Sequence, residues 1–562
     1  MVEELLNPIG EVATTKISLS LRLPDLNGKV LGLLDNSMGD STAFLESIAR
    51  RLSKDYALTV QRASIPLGAR PADVAEELSK SSDFAIVALG CSGVRTLITT
   101  KAAVELEKRG KPTVMICTKG IDSMCQAEAR SMGLESLPLL SVSLPEEARF
   151  SNEDIERVAD GLMRGILFAL TQPSEKVAQE FARNDLVAEA ERVVTRPRNE
   201  FGLDMVEATS VEEANDLFYE RGWTDGLPII PPRRSAVEAM LTYSDRSRDD
   251  VVASLPPRMG RATLEKIAVN AVMAGCAPQY LPVVVAAVEA MAEPEFNLPA
   301  LQATTNPIAP LMVVNGPIIE ELTINCGFNV FGQGWRSNAT IGRAIRLILM
   351  NIGGGLPGTT DKAVQGLPAK YTFCVAENEK ESPWEPLHVE MGFPREVSTV
   401  TVAGVQGQHN FIILDRTADS TLSYAAAMMA SPGANSVYFG GGWPILALNP
   451  QCASVLAKNG YSKADVKTYL FEHAVLPMTS FTDSSRRYLD QGQVFQNDRG
   501  ETVVRATGRV EDILVIVTGA GGSHSQYLAT MGRFIQPVTK PLVLRDGSPI
   551  RCLHDLKDLR GG

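Results

Sequence analysis

Apolar residues along this chain fall in short runs separated by glycine turns and by amphipathic stretches, and from Gly28 to about Thr171 the alternation is regular. KVLGLLDNS reads as a strand that ends in a turn, and Ser41 to Leu52 has helical spacing with Ser or Thr available as a cap. ALTVQRASI is the next strand and Ala72 to Ser79 the next helix. FAIVALG, Thr99 to Arg109, TVMICT, Ile121 to Met132 and Ser151 to Leu170 continue the series. Strands rich in Val, Ile and Leu on both faces, with helices between them, predict a doubly wound parallel sheet of the Rossmann or flavodoxin-like kind. Folds of that kind hold ligands at the carboxyl ends of their strands.

The pattern divides the chain into a first α/β unit over 1–171, a charged helical linker over 172–210 and a larger mixed α/β part over 211–562, itself divisible into 211–395 and 396–562. In the larger part, VEEANDLFYERGW after Ser210, ATLEKIAVNAVMAG and Thr340 to Met350 read as helices, and PLMVVNGP reads as a strand. Farther on, STVTVAG, SVYFGG and ILVIVTG read as strands, and Leu422 to Met429, Pro450 to Asn459 and Lys463 to Leu470 as helices. Two segments share one design, an apolar strand running through a glycine-containing turn into a helix. They are DFAIVALGCSGVRTLITT, from Asp83, and EDILVIVTGAGGSHSQYLATM, from Glu511.

A length of 562 residues exceeds what one hydrophobic core supports, and 44% apolar with 21% charged residues is ordinary for a folded globular protein. A net charge of −12 without a Lys/Arg cluster argues against nucleic-acid binding. The acidic start MVEELLNPIGEV lacks a secretion signal, and the apolar run Tyr280 to Ala292 is interrupted by Pro282 and Glu289, short of the roughly 20 residues of a membrane span. A cytoplasmic protein without membrane or nucleic-acid partners is expected. Eight cysteines without a CxxC pair read as reduced thiols.

The chemistry concentrates in the two turns. In Gly90-Cys91-Ser92-Gly93 the small residues leave backbone N–H groups free to face a ligand, and the helix after it favours an anion and lowers a thiol pKa. Cys91 and Ser92 are the nucleophile candidates, and Arg95 adds an anion-recognising charge. In Gly519-Ala520-Gly521-Gly522-Ser523-His524-Ser525, the glycines permit close backbone approach, and histidine is the residue type suited to general base or hydrogen-bond donor work near neutral pH. Gly521, Gly522 and Ser523 are candidate substrate contacts. His409, in GVQGQHN, is a candidate orienter, with Asn410 beside it to polarise a carbonyl. His388 and Glu390 in PLHVE alternate as on a strand, so a metal ion, although none is favoured, would draw on His388, Glu390, His409 and His524. Asp225 beside Trp223, Asp361 in NIGGGLPGTTD and the nearby Glu377 are further acid or base groups, and Cys326 ranks below Cys91. No phosphate-loop or dinucleotide fingerprint is present, so no organic cofactor is predicted.

LGCSGVRT followed by AVELEKRGKPTV resembles the UGSC-type selenoprotein family, in which selenocysteine or cysteine occupies the strand-to-helix turn. GWTDGLPIIPP, APLMVVNGP, NATIGRAIRLILMNIGGGLPGTTDKAVQGLPAKYTFCVAENEKESPWEPLHVEMGF and VTGAGGSHSQ resemble the large bacterial proteins that accompany that family. The resemblance implies a thiol-dependent oxidoreductase. Aligned on AVELEK, however, the family's reactive position falls on Ser92 and its second cysteine on Arg95, which removes the vicinal redox pair and leaves Cys91 one residue early. Read from the residues themselves, the chain is an enzyme acting on a small anionic or carbonyl-bearing metabolite at an interdomain cleft, a lyase or hydrolase of a carbon–heteroatom bond. His524 then carries the proton. A non-catalytic metabolite-binding or assembly protein is the remaining alternative, and the long apolar helix Thr340 to Met350 suggests a homo-oligomer.

Overall fold

A computed structural model of the chain describes residues 3–11, 16–36, 41–65, 70–90, 93–143, 151–183, 205–550, 552, 553 and 555. The first unit contains β1 (Val30–Asp35), α1 (Ser41–Asp55), β2 (Thr59–Ser64), α2 (Pro71–Ser81), β3 (Phe84–Gly90), α3 (Gly93–Lys108), β4 (Thr113–Thr118), α4 (Asp122–Ser131), β5 (Leu139–Val142), α5 (Asn152–Thr171) and α6 (Ser174–Arg183). Its five strands are all parallel, in the order β2-β1-β3-β4-β5, which is the flavodoxin-like arrangement. The expected doubly wound sheet is therefore present. Strand order reverses between β1 and β3, so the switch point lies beyond Asp35 and Gly90.

Local chemistry explains the sharpest boundary in this unit. Ser151 Oγ accepts from Asp154 N at 3.1 Å and Asp154 Oδ2 accepts from Ser151 N at 3.2 Å, a capping box that starts α5. At the far end of α3, Glu107 is fully buried and accepts from Arg22 Nη1 (2.7 Å), Ser20 N (2.9 Å), Ser20 Oγ (2.8 Å) and Thr113 N (2.7 Å). One carboxylate thus ties the chain before β1 to the start of β4. Val177 and Phe181 of α6 join the same core, so the first turns of the expected linker pack one face on the first unit and leave the other solvated. Residues 184–204 lie outside the described residues.

The opening residues depart from the expected division. Glu3–Leu6 pairs antiparallel with Met205–Ala208, and Leu5 and Leu6 lie in the core of the larger part. Asn7 O accepts from Lys266 Nζ at 2.6 Å and Pro8 O from Asn270 Nδ2 at 3.1 Å, so the chain crosses to the second core before returning to build the first sheet.

That second core is built on α7 (Leu264–Ala274), α8 (Leu281–Ala292) and α9 (Arg336–Asn351). Thr263 caps α7, and Gly275 ends it at φ +90°, a conformation that favours glycine. The apolar residues of α9, among them Ile341, Ile345 and Ile348, are buried inside the chain's own core, so this helix offers no face for the expected self-association.

The helices cover a seven-stranded mixed sheet made of β6 (Ala309–Asn315), β7 (Cys374–Ala376), β8 (Thr399–Ile412), β9 (Ile445–Leu448), β10 (Leu514–Val517), β11 (His524–Thr530) and β12 (Val538–Pro541). Its order is β7-β6-β8-β11-β9-β10, with β12 also on β8. Strand alternation sorts the side chains: Met312, Val314, Val400 and Val402 face the helices, whereas Leu311, Val313, Ala403 and Val405 face a second cluster with Leu528 and Ile516. Because β6 and β7 share this sheet with β8 to β12, the expected boundary at 395/396 does not separate two cores.

Three expected elements are corrected. HSQYLATM is the strand β11 and not a helix: Tyr527 and Leu528 are buried and the segment pairs with β8 and β9. SVYFGG starts in a short 3-10 turn, Asn435–Val437, and runs into Gly440, Gly441 and Gly442, all at positive φ, and the strand comes later as β9. PLHVE forms a one-turn helix, Leu387–Glu390. Among the described residues no helix is long and apolar enough to cross a membrane.

The two parts touch through α3, which packs on Leu298–Ala303, and Ala303 belongs to the first unit's core. Ser123, in the first turn of α4, donates to Thr359 O at 3.3 Å and accepts from Lys362 Nζ at 2.8 Å.

Candidate functional site

The carboxyl ends of the parallel strands β9 and β10, with the end of β8 and the start of β11, surround a cavity of about 470 Å³. Its floor is the face of the sheet that carries Gln408, Asn410, Ala447 and Gln526. Its walls include the loop from Thr518 to Ser523 and the loop from Phe328 to Gly332. Among the lining residues His524 alone is titratable.

Each part of this arrangement has a local cause. Gly519 adopts φ +87°, which turns the chain away from β10, and its N–H donates to Cys326 O at 2.8 Å, fastening the glycine loop to the chain that leads into the Phe328 loop. Asn449 comes directly after β9 and caps the helix Pro450–Lys458 by accepting from Cys452 N at 2.9 Å. Its Nδ2 donates to His524 O at 2.8 Å, which fixes the first residue of β11.

His524 is exposed to the cavity, and Asn410 Nδ2 lies 3.1 Å from its Nδ1. An amide N–H can only donate, so Nδ1 accepts, and the neutral ring carries its proton on Nε2. The ring therefore offers an N–H donor, suited to polarising a carbonyl or stabilising developing negative charge, with amide side chains for the rest of the molecule.

Of the residues singled out from sequence, Asn410, Gly521, Gly522, Ser523 and His524 come together here. His409 does not: alternation along β8 turns it to the face opposite Asn410, and it is Asn410 that contacts His524. Gly90 ends β3, while Gly93 opens α3 and Arg95 lies in its first turn; Cys91 and Ser92 lie outside the described residues. None of the described residues lining the His524 cavity comes from the first unit, so the described lining is not that of the interdomain cleft expected.

The expected metal set is dispersed. His388 is buried with Nδ1 3.8 Å from Glu379 Oε1, and burial holds its pKa below the ordinary value. Glu390 is ion-paired with Lys463 at 3.0 Å and with Lys467. His409 and His524 lie elsewhere, and among the described residues no group of three or more His, Cys, Asp or Glu is arranged to hold a metal ion.

The described thiols are free. The neighbouring Cys125 thiol and burial push Cys117 well above its ordinary value, burial pushes Cys276 up to about 12, and burial raises Cys326, Cys374 and Cys452 as well. Glu377 is buried under Val517, accepting from Asn315 Nδ2 (2.7 Å) and Leu387 N (2.7 Å), and burial raises its pKa. It does not line the cavity.

The residues missed by sequence reading are Gln408, Gln526 and Asn449. The two-residue spacing of Gln408 and Asn410 in GVQGQHN, which puts both on one face, carried a signal for the first, and the Asn-Pro pair after ILAL carried one for the cap.

An open parallel α/β module with a glycine turn at its switch point is thus joined to a mixed-sheet part that carries an amide-lined histidine cavity. Residues 4–172 match the UGSC family. The chain is also similar to a glutamate racemase of Phenylobacterium zucineum (strain HLK1), 25% identical over 246 residues, which cover 38% of this chain and 85% of that protein.

Proposed function

We propose that this chain is an enzyme acting on a small carbonyl-bearing metabolite in the His524 cavity. His524 donates a hydrogen bond or proton from Nε2 to the carbonyl, and Asn410 fixes the ring and its tautomer. The observation that carries the reading is the 3.1 Å contact between Asn410 and the single titratable side chain of a cavity of about 470 Å³. A cavity of that volume lies within the range of small-molecule sites, roughly 300–1,000 Å³. Its polar lining of amides and glycine backbone supplies donors and acceptors without fixed charge, as a substrate with both a carbonyl and a neighbouring polar group requires. Similarity to a racemase named for glutamate supports a small anionic metabolite as the substrate class. The reaction class proposed is lyase or hydrolase cleavage of a carbon–heteroatom bond, with the Cys91-Ser92-Arg95 turn as a separate anion-binding element of the first unit.

The test is activity-based metabolite profiling of purified wild-type protein and His524→Ala with a mixture of small oxo, hydroxy and amino acids. Wild-type protein should consume at least one component that H524A leaves intact. Equal consumption by both proteins would sink the assignment of His524, and no consumption with retained binding would favour a non-catalytic binding protein.

A further inference from the structure

A second cavity, of about 430 Å³, lies against α9 and the loop after it. Arg346 reaches it from α9 while remaining only 8% exposed. Its Nε donates to Lys370 O at 2.6 Å, and among the described residues its two terminal nitrogens have neither a hydrogen-bond acceptor nor an ion-pair partner. Two carboxylates line the same cavity, but each is taken. Asp225 is held bidentately by Arg343, at 2.8 Å for both contacts, and Asp361 by Lys370 at 2.6 Å. Counting Asp225 with Arg343 and Asp361 with Lys370 leaves one uncompensated positive charge, that of Arg346.

A buried guanidinium with no counter-ion in contact is costly, and burial lowers the Arg346 pKa even though Asp361 and Asp225, beyond contact distance, act to raise it. The missing partner that fits is a single negative charge with two acceptor oxygens in a plane, because terminal guanidinium nitrogens match a carboxylate bidentately. The remaining walls are mostly apolar, with Met350, Pro357, Leu367, Pro368 and Tyr371. We infer that this cavity binds an organic monocarboxylate with an apolar body, its carboxylate seated on the two terminal nitrogens of Arg346. The loop that walls the cavity at Pro357 and Asp361 also carries Thr359 and Lys362, which hold Ser123 of the first unit. The site therefore lies beside the seam between the two parts, and it is separate from the His524 cavity.

Benzoate is a suitable probe and benzamide its neutral counterpart, measured by calorimetric titration of the full-length protein. Benzoate should bind, and Arg346→Met should weaken it by at least about tenfold. Benzamide should bind no more tightly to wild type than to R346M. Methionine fills much of the arginine's space without a buried charge, so R346M is expected to fold. Arg346→Lys, which keeps the charge and loses the fork, is the second variant and should fall between the two. Equal benzoate affinity in wild type and R346M, wild-type affinity in R346K, or no binding to wild type at about 10 mM benzoate would overturn the inference. Displacement of benzoate by inorganic phosphate at equal concentration would overturn the choice of a carboxylate.

Discussion

The turn at Cys91 and the turn at His524 begin alike, with an apolar strand entering glycine, and end differently. After Gly93 the chain enters a helix of 16 residues, whereas after Ser523 it enters a strand. The first turn therefore stands at a helix N-terminus, where backbone N–H groups and the helix dipole favour an anion. The second has no helix behind it. Its chemistry rests on side chains that the sheet brings together, Asn410 from β8 and His524 from β11, paired across antiparallel strands. A glycine turn after a buried strand is thus not one kind of structure: the element that the glycines lead into decides whether helix N–H groups or strand side chains are presented beside it.

The largest effect that tests this contrast is on turnover. His524→Ala should reduce the rate by roughly 10²- to 10⁴-fold, the span of a lost general acid or base. Cys91→Ala should change the same rate by less than about twofold when the two turns serve separate sites. A loss in C91A comparable to that in H524A would place both turns in one site and break the comparison.

Next in size is the stability of the helix behind the first turn. Glu107→Ala removes the acceptor of four donors and leaves Arg22, itself buried, without a counter-charge. Breaking a buried pair from one side costs about 3–5 kcal/mol. Urea denaturation should show this loss, and an unchanged transition midpoint would mean that the tie between the chain before β1 and α3 is not what holds the first unit.

How much of the fold and site is legible in the sequence differs between the same two regions. The first unit is readable because its signals are local: Val, Ile and Leu runs of strand length, helical spacing between them, and the Ser151–Asp154 box. Glu3–Leu6 is not, since its partner strand is Met205–Ala208, two hundred positions away, and nothing local shows that pairing. HSQYLATM reads as a helix only if its position after a glycine turn is weighed above its own alternation, in which buried Ser525 and Tyr527 alternate with His524 and Gln526 at the cavity. Asn410 is legible as a polar residue near a histidine, but the histidine it serves is His524, not His409 next to it. The Arg346 cavity is hidden for another reason. An arginine in an apolar helix reads as an exposed position until packing shows that both nearby carboxylates already have partners.

A smaller effect separates two roles for His524. Asn410→Asp replaces the amide donor by a carboxylate, which accepts from Nδ1–H and moves the neutral ring's free nitrogen to Nε2. If His524 works as a donor, N410D should lower turnover by about 10- to 100-fold with little change in substrate binding. Turnover that is maintained or raised would identify His524 as a base, and the pH profile of N410D against wild type would distinguish that outcome from a folding defect.

The smallest effect concerns two buried carboxylates, one on each side of the comparison. Burial raises the pKa of Glu128 in α4, with Lys101 at 3.5 Å opposing it, and raises that of Glu377 beneath β10. In both, the folded state holds the proton more tightly than the unfolded chain does. The stabilisation this provides is complete below the unfolded value of about 4.5 and is lost as pH rises through the raised folded value. Glu128→Gln should therefore match wild type near pH 4 and gain on it, by about 1 kcal/mol, toward pH 7. Its Oε2 has no partner among the described residues, so an amide there offends nothing. Glu377→Gln starts from the same direction of shift but should lose stability at every pH. Its Oε2 takes Asn315 Nδ2 and Leu387 N while Oε1 takes Val517 N, so the new NH₂ must face an N–H donor at a cost of about 1–3 kcal/mol. Parallel curves for the two variants across pH 4–7 would show that burial alone, and not the count of donors, governs these acids.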